Sequence, residues 1–307
     1  MHVRSISPAE VETFAAVGPH SLGTEGFAQY IRELWQLGVS RPDACFVVED
    51  GSQIVGRVLY RGSTGDVNFT GLALPWQADY LAVGRMLFRE SLQRVHAAGA
   101  QILEAYVPSA WSYADQVRDL MQQLGLPLIQ TKLRYVGAAD AAPDSRLIFR
   151  TLDEVGEAAF VEAIRRATTG TLDALDQLQL NSMGADAHAR TYFDVLKTEF
   201  EFHPAWWLAA YTPADELVGH VVGVPYNLHR QEGAIGYIGV VPEQRGHRYG
   251  DELLRAGMQA MHASGITTVI ADTDLQNVPM QQSFERCGYQ RTDTTWVYRE
   301  AIATLLQ

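Results

Sequence analysis

The sequence predicts an α+β chain of two tandem copies of one domain, each a mixed, mainly antiparallel sheet flanked by helices. Three observations predict it. The 307 residues are 47% hydrophobic and 20% charged, which is enough for two domains with proper cores. The two halves echo each other in four places, in the same order. Within each half, short strands come first and a strand–helix–strand crossover follows, which is the plan of a mixed sheet.

The echoes are short but ordered. Ile54-Val55-Gly56-Arg57-Val58 matches Leu217-Val218-Gly219-His220-Val221, and Phe69-Thr70-Gly71-Leu72-Ala73-Leu74-Pro75 matches Tyr237-Ile238-Gly239-Val240-Val241-Pro242. His96-Ala97-Ala98-Gly99 matches His262-Ala263-Ser264-Gly265, and Leu124-Gly125-Leu126 matches Cys287-Gly288-Tyr289. All offsets lie between 163 and 168 residues, so a duplicated domain accounts for the series better than chance. Residues 137–145 are small, polar and proline-containing, as linkers are. The expected domains are therefore 1–140 and 146–307.

Each half opens on a short strand, over 3–6 and 147–150. Helices follow over 8–17 and 27–37 in the first half, and over 154–167 and 186–198 in the second. Three antiparallel strands come next, over 45–49, 54–60 and 67–74, matched by 206–211, 218–224 and 235–241. A long helix, a strand (102–106; 268–271), a further helix and closing strand material complete each half. In the second long helix Leu253, Leu254, Gly257, Met258 and Met261 form the stripe of a helix lying on a sheet.

Composition excludes several classes. A formal charge of −12 is wrong for a nucleic-acid partner, which needs clustered cations. An acidic surface suits a cationic substrate, although acidity most often serves solubility. No apolar run reaches the roughly 18 residues of a membrane span, and the N-terminus lacks a secretory signal's apolar stretch. The two cysteines, Cys45 and Cys287, match no metal spacing or disulfide framework, so no metal is expected and a reduced cytoplasm is the default.

The chemistry concentrates in Val240-Val241-Pro242-Glu243-Gln244-Arg245-Gly246-His247-Arg248-Tyr249-Gly250. A strand entering a glycine-containing loop and then a helix N-terminus gathers free backbone N–H groups, and the helix dipole adds partial positive charge. Together they make a phosphate site. Arg245 and Arg248 add full charge, and Gly246 and Gly250 allow close backbone approach.

These residues resemble the acyl-CoA loop of the GCN5-related N-acetyltransferases, Arg/Gln-x-x-Gly-x-Gly/Ala. Arg245 stands at the first position and Gly250 at the last; Arg248 departs from the pattern at the middle glycine, implying a less strained loop or a side chain turned toward phosphate. Asn277-x-x-Met280-x-x-x-Phe284-x-x-x-Gly288-Tyr289 resembles the family's second segment, which lines the pantetheine arm. The resemblance implies acetyl-CoA as cosubstrate, contacted by Val240, Val241, Arg245, Gly246, His247, Arg248, Tyr249, Gly250, Asp251, Asn277, Met280 and Phe284. In the first half, Ala78 to Val83 stands opposite the loop, and Asp79 puts a carboxylate where phosphate would sit. That half resembles a degenerate copy, in a tandem layout similar to that of the mycothiol synthases.

The resemblance implies direct attack of a small-molecule amine on the thioester. The oxyanion would be held by the backbone N–H of Val240 or Val241. Phe284 stands where the family's tyrosine acid usually sits. Of the strand positions that often carry a base, Ala234, Gly236 and Tyr237, only Tyr237 ionises, which makes it the catalytic side-chain candidate. Glu232, His220, Asp272 and Asp274 are alternatives. His220 also reads as an ordinary strand residue, and the two aspartates read as helix caps. A water-relayed base is the favoured account. Trp206, Trp207 and Trp296 line a pocket or fill a core, and residues 168–184, with Asp173 and Asp176, form an acidic substrate loop or a solvated helix face. A non-catalytic acyl-CoA sensor is the competing reading.

Overall fold

The computed structural model describes residues 1–62, 65–139, 145–227 and 230–307. Of the expected linker, residues 140–144 lie outside the described residues. The chain divides into two compact units, Met1–Ile129 with Thr295–Gln307, and Gln130–Thr294.

The first unit begins with β1 (His2–Ser5), a 3₁₀ turn at Pro8–Glu10, α1 (Val11–Ala15) and α2 (Gly23–Gln36). Next come β2 (Cys45–Asp50), β3 (Gln53–Arg61), β4 (Gly65–Ala73), α3 (Tyr80–Ala97), β5 (Ala100–Pro108) and α4 (Ala114–Gln123). The strands pair in chain order, antiparallel from β1 to β4 and parallel between β4 and β5, where α3 supplies the crossover. In α2, Phe27, Ala28, Ile31 and Leu34 are the buried positions, spaced as one face of a helix must be.

The second unit contains most of β6 (Leu128–Ala138), then β7 (Ile148–Thr151), α5 (Leu152–Val155), α6 (Glu157–Ala167), α7 (Ala174–Met183) and α8 (Ala185–Glu199). It continues with β8 (Trp207–Tyr211), β9 (Leu217–Asn227), β10 (Glu232–Val240), α9 (Tyr249–His262), β11 (Thr268–Asp274), α10 (Val278–Arg286) and the start of β12 (Gln290–Ala301). Its sheet runs β7-β8-β9-β10-β11-β6, with β10–β11 the parallel pair. The single helix expected over 154–167 is broken at Gly156, whose φ of +79° ends α5 and starts α6. The α+β class, the mixed sheets and the tandem arrangement hold.

The units do not follow the contiguous division into 1–140 and 146–307. Residues 132–138 of β6 pair with β11 in the second unit, while residues 295–301 of β12 pair with β5 in the first, followed there by α11 (Ile302–Leu305). Each half thus supplies the other unit's closing strand. β6 alternates buried with more exposed residues over 133–138, whereas β12 buries only Val297 and Tyr298, and neither local pattern specifies which sheet the strand joins.

Candidate active site

In the second unit, β10 and β11 pair only over Glu232–Ala234 with Thr268–Ile270, and then part. The register of β10 on β9 slips between Ile235 and Tyr237, which makes Gly236 a one-residue bulge where the strand turns. Beyond it, Val241 N–H donates to the Val218 carbonyl at 2.9 Å. Alternation along an antiparallel ladder then turns the N–H of Val240, opposite Gly219, away from β9 and toward the side from which β11 has parted. Of the two oxyanion donors expected by position, Val241 has its N–H engaged and Val240 faces the opening.

The loop that follows is a nest of backbone donors. Arg245 N–H bonds to the Pro242 carbonyl and Asp251 N–H to the Arg248 carbonyl. The five N–H groups between them, on Gly246, His247, Arg248, Tyr249 and Gly250, have no acceptor among the described residues. Gly246 has φ +85° and Arg248 φ +62°, which curl the chain so that these donors converge on the start of α9. The substitution at Arg248 therefore has not relaxed the loop: the backbone keeps the left-handed form that a glycine would adopt freely, at a cost of about 1 kcal/mol. At Gly250 an added Cβ would lie 3.3 Å from Ser283 Oγ, so a side chain there crowds α10 only slightly.

Several side chains expected at the cofactor are engaged elsewhere. Arg245 donates to the carbonyls of Val240, Ala167, Thr169 and Gly170 at 3.1, 3.0, 2.7 and 3.4 Å. It clamps the end of α6 to the loop, and burial among carbonyls lowers its pKa. Asp251 is buried and makes a two-pronged pair with Arg286 at 2.7 and 2.8 Å, which ties α9 to α10. Burial pulls its carboxyl up, but Arg286 holds it below the usual range. Asn277 Oδ1 accepts from Met280 N–H and caps α10. Phe284 is 1% exposed and stacks on Tyr135 at 4.9 Å, so it is core and closed to a ligand. Met280 is half-buried against the same core. His247 and Tyr249 remain beside the nest with rings stacked at 5.4 Å, and Arg146, paired with Glu252, lies 5.1 Å over Tyr249 and donates to the His247 carbonyl. The signal for Arg146 was present in the sequence, as an arginine directly before the strand that opens the second half, but nothing local tied it to this loop.

On the opposite face of β10 lies a buried polar cluster. Tyr237 donates to Asp176 Oδ2 at 3.0 Å, and its ring stacks on Tyr192 at 4.1 Å. Burial, and then the Asp176 carboxylate, push the phenol well above its ordinary range, so Tyr237 stays protonated. His188 Nε2 lies 3.4 Å from Asp176 Oδ1. His220 is fully buried, 5.2 Å from the Tyr237 ring, and burial drives its pKa down to about 3. The remaining candidates are structural. Asp272 pairs with Arg134, and Asp274 accepts from the N–H groups of Gln276 and Ala174. Glu232 lies at the far end of β10 from the loop, and Trp206 and Trp207 are core. Trp296 lies under the Arg118 guanidinium in the first unit, at 3.9 Å.

Among the described residues, the turn before the first unit's crossover helix has no left-handed residue to curl it as Gly246 and Arg248 curl the second unit's loop. That helix, α3, is preceded by Asp79, and Trp76 stacks on Tyr113 at 5.1 Å in front of it. By helix start, Asp79 stands where the second unit has Arg248, and Val83 is a core residue at 3% exposure. A cleft of about 600 Å³ in this unit is lined by Arg4, Glu10 and Glu49, whose charges pair with one another.

Residues 172–289 match the family model described as the acetyltransferase (GNAT) family. No curated protein matches the chain in sequence. Among solved structures, a GCN5-related N-acetyltransferase from Sphaerobacter thermophilus is similar at 18% identity, over 98% of this chain and 95% of that one, with a TM-score of 0.63. A tandem GNAT protein from the clavulanic acid biosynthesis pathway is similar at 14% identity, over 98% of each chain, with a TM-score of 0.58. At these identities the likeness is one of fold.

Proposed function

We propose, from the premise that residues 172–289 form an acetyltransferase (GNAT) family domain, that this chain carries an acyl group from acetyl-CoA to the amine of a small molecule. The observation that carries the reading is the run of five unpartnered N–H groups from Gly246 to Gly250 at the start of α9. Such a nest suits a pyrophosphate, the diphosphate link of CoA. From there the pantetheine arm would run into the opening between β10 and β11, alongside the N–H of Val240.

In the reaction the neutral amine nitrogen forms a bond to the thioester carbonyl carbon. The carbonyl oxygen gains charge in the tetrahedral intermediate, where the Val240 N–H is aimed to stabilise it. The C–S bond then breaks, CoA leaves as its thiolate, and the amine proton passes to water. A thiolate is a good enough leaving group to need no acid, which accommodates the buried Phe284. Tyr237, held protonated, orients groups and does not act as the base. One observation favours a sensor instead: among the described residues, His220 and Tyr237 beside the bulge of β10 both keep their neutral forms, so neither serves as the base. Release of CoA thiol in the presence of an amine panel separates the two readings. Turnover above the amine-free rate supports transfer, and binding without turnover supports the sensor.

A further inference from the structure

We infer that the cluster around Asp176 is the acceptor subsite, and that it takes a cationic amine lacking an adjacent carboxylate. This rests on the acyl-transfer reading and names its substrate class. Helix α7 is built inside out. Its only buried residue is Asp176, at 6% exposure, while Leu178 and Met183 are 44% and 42% exposed. A helix that buries its carboxylate more deeply than any of its apolar residues is not packed for stability.

The interior that Asp176 meets is negative. Asp173, one turn earlier on the same helix, is raised in pKa by burial and then by Asp176. Gln130 donates through Nε2 to both Asp173 and Asp274, at 2.7 and 2.9 Å. Lys132 is the opposing charge that acts on Asp173. His188 points independently to a missing partner. It is 1% exposed, its Nε2 is aimed at Asp176 Oδ1 from 3.4 Å, and neither ring nitrogen makes a hydrogen bond of good geometry. Orphaned buried polar atoms are costly, and a ligand with its own donors and a positive charge would give the Asp176 carboxylate and the acceptor nitrogen of His188 a partner. A substrate ammonium meets that need. A carboxylate beside the amine would enter a field set by Asp173, Asp176 and Asp274 and be repelled.

The test uses the full chain with matched probes, cadaverine and lysine, which differ by one carboxylate. Calorimetric binding of each amine to the CoA-saturated protein is measured beside kcat/KM with acetyl-CoA. Cadaverine is expected to bind and react at least about 10-fold better than lysine. Asp176→Asn is expected to weaken cadaverine binding about 30-fold, the low end for removing one partner of a buried charge pair, with acetyl-CoA affinity unchanged. Asp173→Asn gives the same direction should the first variant fold poorly. Equal handling of the two amines, unaltered cadaverine binding in a folded Asp176→Asn protein, or no amine binding at all would overturn the subsite. Acyl transfer would survive the first two outcomes. Failure of acetyl-CoA to bind would instead remove the acyl-transfer reading itself.

Discussion

Tyr237 on β10 donates its phenolic hydrogen to Asp176 on α7 across 3.0 Å, joining the strand beside the proposed thioester site to the helix that covers the polar cluster. A phenol bound to a carboxylate and held above its ordinary pKa is a positioning group. Tyr237→Phe is therefore expected to raise the KM for the amine and lower kcat by less than about 10-fold, whereas loss of an obligate base costs 10²–10⁴. Steady-state kinetics across pH 6 to 9 tests it: the basic limb of the profile should be the same in both proteins.

Arg245 is predicted to act on stability more than on phosphate. Its guanidinium serves four carbonyls of the loop and of the α6 end. Arg245→Ala should cost about 1–3 kcal/mol in urea unfolding, and Arg245→Lys should recover little of it, since an ammonium does not span the same fan of acceptors.

Arg248 tests the loop's conformation. With φ at +62°, a β-branched residue is strained and glycine is not. Arg248→Val should destabilise the protein by about 1–2 kcal/mol, while Arg248→Gly should stay within about 0.5 kcal/mol of the parent, relief of strain being offset by added freedom in the unfolded chain. Thermal unfolding of the two variants decides between them; equal destabilisation would contradict the left-handed assignment.

His220 sets an acid limit. Its folded pKa of about 3 lies below the ordinary 6.5, so between those values the unfolded chain binds more protons than the folded one. Its contribution is complete above pH 6.5 and is lost as pH falls toward 3, at roughly 1.4 kcal/mol per pH unit, or about 2 kcal/mol from pH 6.5 to 5. His220→Phe should flatten that slope in denaturant titrations at the two pH values. An unchanged slope would show that the acid sensitivity lies elsewhere.

Much of the architecture was legible because it is written locally. The strands of alternating residues, the stripe of α9 and the glycine-bearing turn before it each announce themselves within a dozen residues. The fate of the side chains was not, because it depends on chain segments far away. Arg245 meets residues 167–170, Asp251 meets Arg286, and Phe284 meets Tyr135. The exchange of β6 and β12 was hidden for the same reason. The repeat aligned Arg57 with His220, and the structure buries both completely, but it gives them opposite solutions. Arg57 satisfies itself on the carbonyls of Phe14, Ala15 and Gly71, whereas His220 is kept neutral. The polar cluster was seen only as an acidic stretch, since nothing in the ALDQLQLNSM sequence of α7 says that the aspartate is the residue turned inward.

The central claim is that the nest at the start of α9 binds the cofactor's pyrophosphate, once per chain. Calorimetric titration of acetyl-CoA into the full chain, Gly250→Ala, Gly250→Asp and Asp79→Lys tests it most directly. The account predicts one site per chain. Gly250→Ala should retain most of the affinity, Gly250→Asp should abolish it through its negative charge, and Asp79→Lys in the first unit should leave the stoichiometry at one. Full-affinity binding by a folded Gly250→Asp protein, or no binding by the parent chain, would contradict it.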